Sequence, residues 1–111
     1  RREFLYCDDM ADACVFLMER HPAREIGEFI NIGVGADLSI RELAELVAQV
    51  VGFRGQLTFD TGKPDGTPQK LLDVTRLTRL GWRATTTLKD GIALTYQDYL
   101  ASLSRPRASQ G

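Results

Sequence analysis

Histidine is almost missing from this 111-residue sequence, with His21 the single one, and there are only two cysteines, two methionines and one tryptophan. No charge of one sign dominates either: fourteen Lys and Arg stand against fifteen Asp and Glu, a net charge of −1. Binding to nucleic acid or to an anionic membrane through bulk charge draws its affinity from clustered cations that release counterions. Both partners are therefore excluded as charge-driven ligands. No apolar run approaches the eighteen or so residues that a membrane-spanning helix needs. Cys7 and Cys14, seven residues apart, form neither a disulfide framework nor a metal knuckle. They read as reduced, mostly buried thiols of a cytoplasmic protein.

The scarcity of histidine limits the chemistry as well. His21 stands beside Pro22, a position that suits a helix C-terminus, where a cation is favoured. No Ser/His/Asp or Cys/His constellation assembles around it. Asp8 and Asp9 are adjacent, and neighbours on a helix point apart, so they suit a first turn better than an acid/base pair. No tyrosine is followed four residues later by lysine.

What is present is patterned. The 43% hydrophobic content and the length predict one domain, able to bury about two-thirds of its unfolded surface. The sequence opens without Met on Arg1-Arg2-Glu3-Phe4-Leu5-Tyr6-Cys7, which alternates as a strand does and wants an earlier neighbour to pair with. It is therefore expected to be the carboxyl end of a longer protein. Asp8 is expected to cap a helix with Met10, Ala13, Cys14, Leu17 and Met18 on its apolar face, ending at His21-Pro22. Phe29-Ile30-Asn31-Ile32 and Gln56-Leu57-Thr58-Phe59-Asp60 read as strands. Ser39 with Glu42 forms a capping box for a helix that buries Ile40, Leu43, Ala44, Val47 and Val51 and closes at Gly52. Asp73 is expected to cap a short helix over 75–80. Thr87 with Asp90 opens the last helix, whose Leu88, Ile92, Tyr96, Tyr99 and Leu103 share a face. Short strands interleaved with helices make the fold class mixed α/β over residues 1–103, and 104–111 read as a disordered tail.

Two features invite a ligand. Gly33-Val34-Gly35 lies where a dinucleotide fingerprint would, but Leu38 occupies the third glycine position, and the spacing reads better as a plain turn. The irregular stretch 61–69, with two prolines and two glycines, is the longest in the chain. It carries Lys63 and Asp65 and ends against Lys70. From the residues alone a solvated turn comes first, although irregular segments of this length often bind ligands. Arg2 has a guanidinium fork able to grip a phosphate.

Arg2-Glu3-Phe4-Leu5-Tyr6-Cys7-Asp8-Asp9-Met10-Ala11 resembles the segment that opens the C-terminal lobe of extended short-chain dehydrogenase/reductases, the nucleotide-sugar epimerases and dehydratases. Lys63-Pro64-Asp65-Gly66-Thr67-Pro68-Gln69-Lys70-Leu71-Leu72-Asp73-Val74, followed by Leu80-Gly81-Trp82, is similar to the members that epimerise and reduce GDP-sugars. Asn31-Ile32-Gly33 and Ile40-Arg41-Glu42-Leu43-Ala44 fit the same pattern. The resemblance implies a C-terminal substrate-binding lobe whose partner ligand is a GDP-sugar, with Arg2, Asp65 and Lys70 as substrate-binding residues. It also implies that the catalytic Ser, Tyr and Lys and the loop that binds NADP(H) lie in an N-terminal Rossmann domain, so that this stretch carries no catalytic residue and is inactive alone, and that the whole protein is a homodimer. The family usually has Arg where this sequence has Gln69, and Val where it has Cys7. The first exchange removes a fixed charge and is expected to leave the phosphate contact to Lys70. The same lobe of another nucleotide-sugar epimerase or dehydratase, and a non-catalytic interaction module, are the alternative readings.

Overall fold

Residues 1–104 are described by the computed structural model, and they form five helices. α1 spans Cys7–Arg20, α2 Ala23–Ile26, α3 Ile40–Val51, α4 Thr75–Leu80 and α5 Leu88–Leu103. The helix ends follow local chemistry. Ser39 Oγ accepts from the Glu42 amide at 3.1 Å while Glu42 Oε1 accepts from the Ser39 amide at 3.2 Å, the reciprocal box that satisfies two orphan donors at the start of α3. Thr87 Oγ1 accepts from the Asp90 amide at 3.2 Å to open α5. Gly52 and Gly81 close α3 and α4 in the left-handed conformation, at φ of 76° and 106°, which costs glycine little. His21 is the C-cap of α1, its N–H donating to the Leu17 carbonyl at 3.1 Å.

Two expected caps differ from the structure. α1 begins two residues earlier than expected, after Tyr6, which places Asp8 and Asp9 in the first turn. Asp73 acts on α4 without being its cap residue: its Oδ1 accepts from the Thr75 amide at 2.9 Å, one residue beyond the Val74 cap. The Thr75 hydroxyl and amide together hold the Asp73 carboxyl below the usual range.

The interleaved strands of the α/β expectation are not formed among the described residues. All that stands in their place is a pair of isolated bridges, Arg2 antiparallel to Leu38 and parallel to Lys70. A ladder needs a neighbour along its whole length, and segments 29–32 and 56–60 have no such neighbour among the described residues. The expected tail lies outside the described residues apart from Ser104, which ends α5.

The buried core is small. Ala13, Leu17, Leu77 and Trp82 fill it, with Leu5, Phe16, Ile26, Ile30 and Ile32 packed against it. Trp82 Nε1 donates to Asp12 Oδ2 at 2.9 Å, so the indole keeps its polar handle satisfied. Asp9, 6% exposed, is the buried charge of this region. Its carboxylate accepts from the Thr86 amide at 3.0 Å and from the Thr85 and Thr86 hydroxyls at 3.2 Å each. Asp9 thereby fastens the start of α1 to the turn that leads into α5. Asp9→Ala strands that amide and the two hydroxyls and is expected to cost about 1–3 kcal/mol, read as a lowered urea midpoint. An unchanged midpoint would show that water replaces the carboxylate freely.

Helices α3 and α5 pack on each other, yet their apolar faces stay largely open. Ile40 is 53% exposed, Tyr99 57% and Leu103 65%. The two helices and segment 4–7 enclose a groove of about 880 Å³, walled by Phe4, Tyr6, Leu43, Val47, Ile92 and Tyr96 among others. The radius of gyration, 17.7 Å, exceeds the roughly 13 Å of a compact domain of this length. Cys7 and Cys14 are both free and exposed, which corrects the expectation of buried thiols. Met18, at 84% exposure, likewise leaves the expected α1 face. α1 meets the core through Ala13 and Leu17, with Phe16 packed beside them.

Candidate functional site

The site forms where three chain segments cross. Arg2 exchanges both backbone bonds with Leu38, at 2.9 and 3.0 Å, and the Lys70 amide donates to the Arg1 carbonyl at 3.1 Å. Two of the three residues picked out for substrate binding, Arg2 and Lys70, are thus brought side by side. Asp65 arrives through the loop. Arg2 Nη1 donates to the Thr67 carbonyl at 2.6 Å and to the Arg1 carbonyl at 2.8 Å. A Cβ at position 66 would stand 3.3 Å from Arg2 Nη2; glycine there lets the guanidinium lie against the loop backbone. Asp65, Lys63 and Lys70 are exposed, and no ion pair joins Asp65 to Arg2 among the described residues. The loop starts from an Asx turn, with Asp60 Oδ1 accepting from the Gly62 amide at 3.0 Å.

Residues that the sequence did not single out hold this crossing together. Asp37, with a side chain 9% exposed, accepts from Arg1 Nε at 2.8 Å on Oδ1 and from Gln69 Nε2 at 2.5 Å on Oδ2. The Gln69 hydrogen bond first, and the Arg1 guanidinium second, hold the Asp37 carboxyl below the usual range. Asp37 in turn raises the pKa of Arg1. Gln69 therefore serves Asp37, and the departure from the family's Arg falls on this contact. Thirty-odd residues separate these partners, so no local spacing announces them. Glu3 is the second such residue. Its carboxylate accepts from the amides of Val34 at 2.8 Å, Gly35 at 2.5 Å and Leu72 at 3.2 Å.

That contact decides the reading of Gly33-Val34-Gly35. A phosphate-binding turn offers its amides to a ligand; here two of them are taken by Glu3. This turn does not fit the pyrophosphate of a dinucleotide. Nor is the large groove the anion site: its apolar walls include neither Arg2, Asp65 nor Lys70, and a charge gains nothing from them. Among the described residues no group of three or more His, Cys, Asp or Glu is placed to hold a metal ion, and no helix is long and apolar enough to cross a membrane.

No family model matches the chain. Curated relatives do. A putative GDP-L-fucose synthase 2 of Arabidopsis thaliana is 53% identical over 102 residues, covering 92% of this chain and 30% of that protein. The GDP-L-fucose synthase of Escherichia coli strain K12 is 49% identical over 114 residues, covering 96% of this chain and 35% of that protein. The chain thus spans about a third of the length of the curated relatives it matches. Among solved structures, a GDP-6-OMe-4-keto-L-xylo-heptose reductase from C. jejuni superposes with a TM-score of 0.85 at 38% identity, covering 91% of this chain and 31% of that one. An NADP-bound GDP-mannoheptose C4 reductase from Campylobacter jejuni gives a TM-score of 0.79 at 38% identity, covering 89% of this chain and 31% of that one. In sequence the chain is similar to one segment of the GDP-L-fucose synthases, and in backbone it superposes as a fragment on GDP-sugar reductases of the extended short-chain dehydrogenase/reductase fold.

Proposed function

We propose that this chain is the GDP-sugar-binding part of a GDP-L-fucose synthase, an enzyme that converts GDP-4-keto-6-deoxy-D-mannose to GDP-L-fucose by 3,5-epimerisation and NADPH-dependent reduction at C4. The observation that carries the reading is the convergence of Arg2, Lys70 and the Asp65 loop at one crossing in a chain that matches those enzymes over most of its length. Of the five N–H donors of a guanidinium, the two on Nη1 are directed at backbone carbonyls. Those on Nε and Nη2 are left to grip the pyrophosphate, with the Lys70 ammonium beside them. Asp65, an acceptor, takes hydrogen bonds from the ribose or the base. The curated relatives and the structural neighbours at 37–38% identity differ in the sugar and share GDP in their names, which favours a segment that reads the nucleotide end of the substrate; a UDP-glucose 4-epimerase at 24% identity shares the fold alone.

NADP(H), the cofactor of this reaction, supplies the hydride. The glycine turn at 33–35 is not offered to its pyrophosphate, because Glu3 occupies the Val34 and Gly35 amides. The cofactor and the catalytic Ser, Tyr and Lys belong to the part of the enzyme that this chain does not span, and the chain alone is expected to be inactive. Soluble cytoplasmic location and a homodimeric whole enzyme complete the reading.

The test is calorimetric titration of GDP into the intact enzyme, with UDP as control. GDP is expected to bind preferentially, and Asp65→Ala is expected to raise KM for the GDP-sugar more than it lowers kcat. Equal binding of UDP, or an unchanged KM, would overturn the assignment.

A further inference from the structure

We propose that Asp37 is a positioning residue for the nucleotide site, one that orders the 65–70 loop and the Arg2 guanidinium before substrate arrives. The inference rests on the GDP-binding reading given above and assigns a residue to it that touches no substrate. Its basis is register. Asp37 binds Arg1 through one carboxylate oxygen and Gln69 through the other, and its own carbonyl accepts from Arg1 Nη2 at 3.3 Å. Each of the three residues in this clasp immediately precedes one of the residues that meet at the crossing: Arg2, Leu38 and Lys70. One side chain thereby fixes all three segments against each other, one residue upstream of the groups that matter.

The placement matters because few contacts restrain the loop. Between the Asx turn at Asp60 and the bridge at Lys70, its ties to the rest of the molecule among the described residues are the Thr67 carbonyl on the Arg2 side chain, the Pro68 carbonyl on the Arg1 amino nitrogen and the Gln69 side-chain amide on Asp37. A loop that must be ordered on binding pays conformational entropy out of the binding free energy. An exposed ion pair would do little to prevent this. Asp37 differs because its side chain is 9% exposed and both of its oxygens are engaged, which gives the clasp direction as well as charge. The two donors are also unlike: Arg1 neutralises the carboxylate and Gln69 adds a neutral bond.

In the intact enzyme, Asp37→Ala is expected to raise both the GDP Kd and the KM for the GDP-sugar about tenfold, with kcat within twofold of the parent. A residue that merely supports the fold would lower kcat together with the yield of folded protein. Gln69→Arg, which keeps a donor on Oδ2, is expected to leave Kd near the parent value, whereas Gln69→Ala raises it about threefold. Because both changes break one clasp, Asp37→Ala/Gln69→Ala should bind GDP no more weakly than Asp37→Ala alone. Should Asp37→Ala fail to fold, the comparison of Gln69→Ala with Gln69→Arg decides the question, and equal Kd values for the two would refute the clasp. An unaltered Kd in Asp37→Ala, while Arg2→Ala binds weakly, overturns the positioning role and leaves the GDP-binding reading intact. Unaltered binding in both variants overturns the two together.

Discussion

Arg2→Ala in the intact enzyme is expected to weaken GDP binding, and to raise KM for the GDP-sugar, by about 10- to 150-fold, the equivalent of losing charge-assisted hydrogen bonds worth roughly 1.5–3 kcal/mol. The effect on kcat should be much smaller. A pyrophosphate is remote from the sugar carbons that react, so contacts to it are made equally in the ground state and the transition state, and their removal appears in KM. Two contributions combine in this variant, since the guanidinium both faces the proposed phosphate position and ties down the loop through the Thr67 carbonyl. Arg2→Lys separates them. Lysine keeps the charge as a flexible point and lacks the fork, so it is expected to recover part of the affinity and little of the loop order. Steady-state kinetics with GDP titration measures both variants. A fall in kcat with KM unmoved would take Arg2 out of nucleotide binding.

Trp82→Ala is expected to destabilise the protein by about 3–5 kcal/mol, the usual cost of truncating a large buried aromatic residue. The position is exposed to this loss because the core is so small: Trp82 and Leu77 supply most of its volume, and from α1 the apolar side chains buried beside them are Ala13 and Leu17. Truncation removes the contact between α1 and the segment after α4 and leaves Asp12 without its indole donor. Asp12 is exposed and regains water, so the penalty is one of packing. Trp82→Phe tests that division: it keeps most of the ring and forfeits the hydrogen bond, for an expected cost nearer 1 kcal/mol. Urea unfolding of the two variants reads the difference. Equal midpoints for Trp82→Phe and Trp82→Ala would shift the weight from packing to the hydrogen bond.

The parts of this fold that could be read from the sequence are the parts set by a few neighbouring residues. The Ser39 and Glu42 box, the Thr87 cap, the stops at Gly52 and Gly81 and the break at His21-Pro22 all depend on partners within four residues, and each stands where it was expected. The faces of α3 and α5 were legible as faces, but not their burial, because periodicity says which residues line up and not what covers them. The two thiols follow the same rule: Cys14 lies on the apolar side by spacing and is exposed in fact. The expected strands are not formed among the described residues for a related reason, since alternation marks a segment able to pair while pairing itself needs a second segment. At the site, Arg2, Asp65 and Lys70 came from resemblance to a motif. Asp37 and Glu3 came from neither, because their partners lie some thirty to seventy residues away in sequence and only the folded chain introduces them.

Glu3 carries a consequence for life in a cell crowded with phosphorylated metabolites. A glycine turn whose amides point inward at one spot is a trap for any passing phosphoryl group, and an enzyme that must recognise one nucleotide is harmed by a second, indiscriminate trap nearby. By lodging its own carboxylate against Val34 and Gly35, the chain fills this turn with a tethered acceptor that a diffusing anion would have to displace. Glu3 is the neighbour of Arg2, so one short stretch carries both the cation proposed for the nucleotide and the carboxylate that occupies the glycine turn.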